Sequence, residues 1–237
     1  MWIDPTNPNR ILLGDDGGFQ ISYDAGRTFD ILNNIPFTQF YNVAYDMQVP
    51  YHLCGGLQDN GSWCGPSAVR GNAGIANHHW ATVQGGDGFV VLQDPADPRV
   101  IYSSSQDGNM VRVDRTTFET VSIRPQPEPG ERPFRWQWDT PYLISPHDPN
   151  VLYAATWQRH RTVAGYMGGG PESGIHRSTD GGATWEKLKK GLPEGPLGKI
   201  GLAVSPQDPD VVYAAIETNR RTGGVYRSSD RGASWEK

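Results

Sequence analysis

The chain has 237 residues, among them 29 Gly and 19 Pro beside 8 Trp, 10 Tyr and 7 Phe. So many helix breakers exclude long helices, so many aromatics exclude a disordered chain, and no apolar run approaches a membrane span. A formal net charge of −5 with no cationic block excludes a phosphate backbone as partner, so no nucleic acid is expected.

What remains is an all-β chain of short strands and many turns. It opens on a remnant strand at residues 2–4, followed by DPTNPNRILLG at 4–14. That string recurs as DPADPRVIYSS (94–104), SPHDPNVLYAA (145–155) and SPQDPDVVYAA (205–215), with a degenerate copy, DMQVPYHLCGG, at 46–56. Equivalent positions are Pro5, Met47, Pro95, Pro146 and Pro206, so the steps are 42, 48, 51 and 60 residues. The last copy shows the unit's strands: 199–204, 211–216 and 224–228, with a fourth beginning at Trp235. Proline is confined to the first turn, where a fixed φ and a missing N–H cost nothing. Four antiparallel strands about every 50 residues describe a propeller blade. The blades run 1–35, 36–84, 85–129, 130–197 and 198–237, one propeller segment over 1–237. The first and fifth are incomplete, so a fragment of a larger wheel is expected.

Cys54 and Cys64 flank Asp59-Asn60-Gly61, a strong hairpin signal. With Asn60-Gly61 as a two-residue turn, Cys64 faces Leu57, and Cys54 lies about 10 Å further along. That is beyond the reach of a disulfide unless a bulge shifts the strands. Two free, half-buried thiols are expected, with a disulfide as the alternative.

A second motif, S-x-D-x-G-x-[ST]-[FW], stands at 22–29, 178–185 and 228–235. Its fixed positions are Ser22, Asp24, Gly26 and Phe29; Ser178, Asp180, Gly182 and Trp185; and Ser228, Asp230, Gly232 and Trp235. Ser and Asp bond the backbone of their own turn, Gly supplies a positive φ, and the aromatic ring anchors the turn on the blade. All twelve positions are read as structural. The pattern resembles the BNR/Asp-box repeat and is similar to blades of sortilin-like receptors and xyloglucanase-like glycoside hydrolases. That resemblance implies a β-propeller and an extracytoplasmic (periplasmic or secreted) location. It selects no single activity, because receptors, assembly factors and hydrolases share the box. The opening MWIDPTNPNR is not a signal peptide.

Successive hairpins of a blade alternate between two faces. The proline turns and the boxes share one face. The second turns and the loops entering each first strand share the other, and chemistry is sought there. Candidate acids and bases are Asp15, Asp16, Asp59, Asp87 and Asp139, since two carboxylates across a funnel suit glycosidic cleavage. Asp-Gly and Asn-Gly are equally what a tight hairpin uses. The entry loop RPFRWQWD at 132–139 adds Arg135, Trp136 and Trp138 as ligand contacts. The fourth blade's second turn, 157–173, is unusually long. It offers Trp157, Arg159, His160, Arg161 and Tyr166 over the funnel, with Gly168-Gly169-Gly170 as a mobile tip. Aromatic faces suit sugar rings and Arg suits carboxylates. His78-His79 has no spaced carboxylates, so no metal is expected, and no motif calls for a cofactor.

Two functions stay open. One is a non-catalytic, sortilin-like binding or scaffold propeller for a glycan or polypeptide. The other is a hydrolase resembling the xyloglucanases, cleaving β-glucan with an Asp pair. Either would be completed by flanking blades or a second propeller of the same chain.

Overall fold

The computed structural model describes residues 1–15, 18–32, 38–218 and 221–237. They divide into two compact units, Met1–Thr38 and Gln39–Lys237. Apart from two 3-10 turns, Asn77–His79 and Gln106–Gly108, every regular element among the described residues is a strand.

The first unit is one antiparallel sheet whose strands lie in sequence order: β1 (Trp2–Ile3), β2 (Ile11–Asp15), β3 (Gly18–Ser22) and β4 (Asp30–Ile31). The second unit repeats this plan. One sheet is β5 (Phe40–Tyr45), β6 (His52–Leu57), β7 (Gly61–Pro66) and β8 (Ala81–Gln84). The next is β9 (Val91–Gln93), β10 (Val100–Ser105), β11 (Asn109–Asp114) and β12 (Thr120–Ser122). Then come β13 (Tyr142–Ile144) and β14 (Leu152–Thr156), a separate hairpin of β15 (His160–Arg161) and β16 (Tyr166–Met167), and β17 (Gly174–Ser178) with β18 (Glu186–Leu188). The last sheet has three strands, β19 (Ile200–Val204), β20 (Val212–Ile216) and β21 (Gly224–Ser228). Where a fourth was expected at Trp235, a single bridge joins Arg227 to Glu236.

The repeated turns are built by their own side chains. The residue that opens each proline turn accepts the amide two positions on: Asp4 from Thr6 (2.8 Å), Asp94 from Ala96 (2.8 Å), Ser145 from His147 (3.3 Å) and Ser205 from Gln207 (3.2 Å). The second acidic position does the same, Asp97 for Arg99, Asp148 for Asn150 and Asp208 for Asp210. Such local bonds are why Asp and Ser initiate turns.

The S-x-D-x-G turns are equally uniform. Ser228 Oγ donates to Asp230 at 2.7 Å and accepts the Gly232 amide at 2.7 Å and the Asp230 amide at 3.2 Å. Asp230 in turn accepts the Ser234 amide at 2.8 Å, and the Ser234 hydroxyl as well. Ser178–Thr184 and Ser22–Thr28 reproduce the pattern. The fifth-position glycine of each turn, Gly26, Gly182 or Gly232, has φ of 83–90°. A Cβ on Gly182 would lie 2.8 Å from Ile123, and one on Gly232 2.9 Å from Leu188, so glycine also lets the turn rest on the preceding sheet.

Sheets of the second unit pack face to face with recurring contacts. The Tyr153 hydroxyl donates to the Arg231 carbonyl, 2.9 Å away inside the next sheet's turn. Tyr102, at the same place in the preceding copy, has its hydroxyl beside Gly181, the residue equivalent to Arg231. Tyr153, Ala155 and Ile175 form one core with Val212, Ala214, Ile216 and Tyr226. Tyr213 and Val225, equivalent to Tyr153 and Ile175, are 39% and 61% exposed.

The cysteines correct the sequence reading. The β6–β7 loop has three residues, 58–60, with Asp59 (φ 59°) and Gly61 (φ 71°) in the left-handed region. The longer loop shifts the register, so Cys54 faces Cys64 with Cα atoms 4.1 Å apart, and the two form a buried cross-strand disulfide.

Two outcomes follow in thermal or urea unfolding. Ser228→Ala strands the Asp230 and Gly232 amides and is expected to cost about 1–3 kcal/mol. Tyr153→Phe should cost about 0.5–1.5 kcal/mol, whereas Tyr213→Phe should leave the midpoint unchanged. Equal losses at the two tyrosines would refute the assigned packing.

Candidate functional site

In the second unit, second turns and entry loops gather at one end of the sheets. The Asp87 side chain, 6% exposed, accepts the Asp59 amide at 2.7 Å on one oxygen and the Gln106 side-chain amide at 3.2 Å on the other. Backbone bonds from Gly61 to Gly86 (2.7 Å) and from Gly88 to Leu57 (2.9 Å) lock the same loop onto the β6–β7 turn. Asp87 thus clasps two neighbouring sheets, at the cost of both its oxygens. Gly56 and Gly88 permit the close approach: a Cβ on either would lie 2.2 Å from a carbonyl oxygen.

Tyr41 feels three of the candidate acids. Its ring packs 4.8 Å from Phe89, and burial first, then the charges of Asp87, Asp59 and Asp139, push its hydroxyl upward. Tyr41 was not among the residues singled out from sequence. Asp139 keeps an exposed surface, yet protein atoms surround it closely enough for desolvation to raise its carboxyl. The charges of Asp59, Asp87 and Asp139 thus all reach the Tyr41 hydroxyl, and the Asp59 amide and the Asp87 carboxylate are in direct contact. Among the described residues no three His, Cys, Asp or Glu side chains approach closely enough to hold a metal ion. Asp15 belongs to the first unit, where Gln20 donates to it at 2.8 Å. Asp16 lies outside the described residues.

The aromatic and basic candidates form a second cluster around β14. Trp157 does not project: it is 4% exposed, and its indole N–H donates to the Gly168 carbonyl at 2.7 Å. Arg159 covers its ring at 5.5 Å and the Tyr166 ring at 6.0 Å. Lys199, which the sequence did not mark, lies 5.4 Å from the same indole centroid. The Arg135 guanidinium meets His160 Nδ1 at 3.1 Å, and the Arg135 carbonyl accepts the Trp157 amide at 3.2 Å. Arg161 faces Tyr166 in the β15–β16 hairpin, whose side chains are exposed. Trp136 is buried, with Arg124 5.2 Å above it and its ring against Gly108, where a Cβ would lie 2.4 Å away. Trp138 is 52% exposed.

The triple glycine is not a loop tip. Gly170 pairs with Leu197, and a Cβ on Gly169 would lie 2.3 Å from the Leu197 carbonyl. The tip is Thr162–Gly165, closed by a 2.8 Å bond from the Thr162 amide. The glycines reflect close approach between neighbouring segments, which composition alone could not distinguish from mobility.

A cleft of about 720 Å³ is lined by Phe134, His176, Trp185 and Lys187 among others. His176 is buried, contacts Thr156 Oγ1 at 3.3 Å, and is held down to about 3 by desolvation and then by Lys187.

No family model matches the sequence, and no curated protein matches it. Solved structures do. A GH74 xyloglucanase from Xanthomonas campestris aligns with a TM-score of 0.56 at 18% identity, over 99% of this chain and 38% of its own. An ancestral GH74 enzyme gives 0.56 at 16% identity over 100% and 32%. The Niastella koreensis GH74 enzyme gives 0.53 at 15% over 99% and 37%. The fold is of the β-propeller kind. The chain spans 32–38% of the length of these structures. Among the described residues, no helix is long and apolar enough to cross a membrane.

The His176 environment sets a pH dependence. A buried neutral imidazole with a lowered folded value means that the unfolded chain binds the proton first. Stability then falls as pH drops below about 6.5 toward 3. Urea midpoints should decline between pH 6.5 and about 4.5, above the range of ordinary carboxylates. His176→Gln should flatten that limb; an unchanged slope would remove His176 as its source.

Proposed function

We propose that the chain is an Asp-box β-propeller segment that binds carbohydrate at the end of the second unit carrying Arg135, Trp138, His160, Arg161, Tyr166 and Lys199, without cleaving it. The uniform S-x-D-x-G turns support membership of the BNR/Asp-box type. Carbohydrate is favoured by the GH74 xyloglucanase among the similar folds, and by exposed rings beside hydrogen-bonding cations. The buried disulfide suits an oxidising, extracytoplasmic compartment. Flanking blades or a second propeller would complete the molecule.

One observation carries the non-catalytic reading. Asp87, the most buried of the candidate acids in the second unit, uses both carboxylate oxygens on this chain's own amides. A nucleophile or general base needs an oxygen turned to the substrate or its water.

Asp139 favours a second reading. Its raised carboxyl suits a general acid, and with a second carboxylate such as Asp59 as its partner it would make the chain part of a β-glucan hydrolase.

Binding of the 237-residue chain to xyloglucan, mixed-linkage β-glucan and charged plant polysaccharides separates the two when reducing-sugar release is measured alongside. Retention on at least one polymer with no release is expected. Release that Asp139→Asn abolishes would establish the hydrolase instead. Absence of both retention and release would end both readings.

A further inference from the structure

We infer that the glycan taken at this end is anionic, a polymer carrying carboxylates such as a polyuronate; the inference rests on the carbohydrate-binding reading above. Three separate segments bring cations to one place. Arg135 comes from the loop entering β13, Arg159 and Arg161 from the long loop after β14, and Lys199 from the residue before β19.

The indole of Trp157 organises them. Its N–H is fixed to Gly168, so the ring cannot turn, and both Arg159 and Lys199 lie over it. Two positive charges each about 5.5 Å from one centroid stand within about 11 Å of each other. That upper bound is comparable with the screening length of about 10 Å at 0.1 M salt, so their repulsion is felt most at low ionic strength. The indole's π-face offsets part of it.

No carboxylate does the rest. Among the described residues, Arg135, Arg159, Arg161 and Lys199 form no ion pair, whereas Arg99, Arg177 and Arg231 each hold a carboxylate. Glu217, beside Lys199, accepts the Lys199 backbone amide at 3.2 Å. Asp139 and Glu172, the other acids on these loops, take part in none of the ion pairs seen among the described residues. A chain with a net charge of −5 therefore keeps an uncompensated cationic group at one spot. A bound anion would relieve the repulsion and accept paired guanidinium bonds.

The exposed rings choose a sugar over an acidic peptide. Tyr166, 61% exposed, flanks Arg159, and Trp138 stands three residues from Arg135. A flat ring beside a guanidinium offers a pyranose face and a carboxylate clamp within one residue's reach.

The test compares polygalacturonate, the same polymer after carboxyl reduction, neutral xyloglucan and poly-L-glutamate by calorimetry, with the intact chain at low and physiological salt. Polygalacturonate should bind tightest and lose roughly tenfold in affinity on raising the salt, because exposed charges are screened. The double variant Arg161→Ala/Lys199→Ala should weaken it by a further factor of roughly ten, as expected for lost charge pairs. Arg70→Ala, an exposed control, should not, and matching far-ultraviolet spectra and melting curves exclude misfolding. Equal binding of neutral xyloglucan or the reduced polymer, insensitive to salt, overturns the anionic inference and leaves the carbohydrate reading standing. Polygalacturonate binding that the rim variant leaves unchanged overturns the assigned site. Binding of poly-L-glutamate alone overturns both in favour of a peptide ligand, and binding of none overturns both outright.

Discussion

A serine hydroxyl at the end of a third strand organises the sheets. In its three copies it donates to the aspartate two residues on, and gathers two amides that would otherwise be left in the turn's interior. The aspartate, held low by hydrogen bonds from the residue four further on, fixes the other half of the turn. In the two copies of the second unit that rigidity lets the glycine sit against the sheet before. In the second unit it also presents a carbonyl to a tyrosine of that sheet. Strand pairing makes each sheet, and the turn makes sheets neighbours.

Much of this was written in the sequence because local chemistry dictates it. Ser228, Asp230 and Gly232 have one way of satisfying one another at that spacing, and Pro206 has one turn position that it fits. The end carrying the candidate site is different. Asp59 and Asp87 lie 28 residues apart, and their bond depends on two loops meeting. Lys199 is unremarkable in its own strand and matters only because the preceding sheet puts an indole beneath it. Tyr41 gains its meaning from three acids on three other loops. Spacing along a chain carries no record of such encounters.

The misreadings have a common source. Asn60-Gly61 was read as a two-residue turn, but one more residue in the loop exchanged which side chains face each other, and with that the cysteines met. A single-residue change in register moves a whole strand's partners. Gly168-Gly169-Gly170 was read as slack where it marks crowding. Trp157 was placed outside and lies inside, where it still serves the rim by holding Arg159 and Lys199 in place. In each case residue type was informative and the neighbour across space decided its use.

Tyr153 under Arg231 and Tyr102 beside Gly181 occupy equivalent places against equivalent turns, and Tyr213 stands at that place a third time, at the surface. An interface that repeats its own residues is a modular joint. A whole unit duplicated or lost in the gene meets the same tyrosine and the same turn it would have met before. The number of units can thus change without a new contact having to be invented.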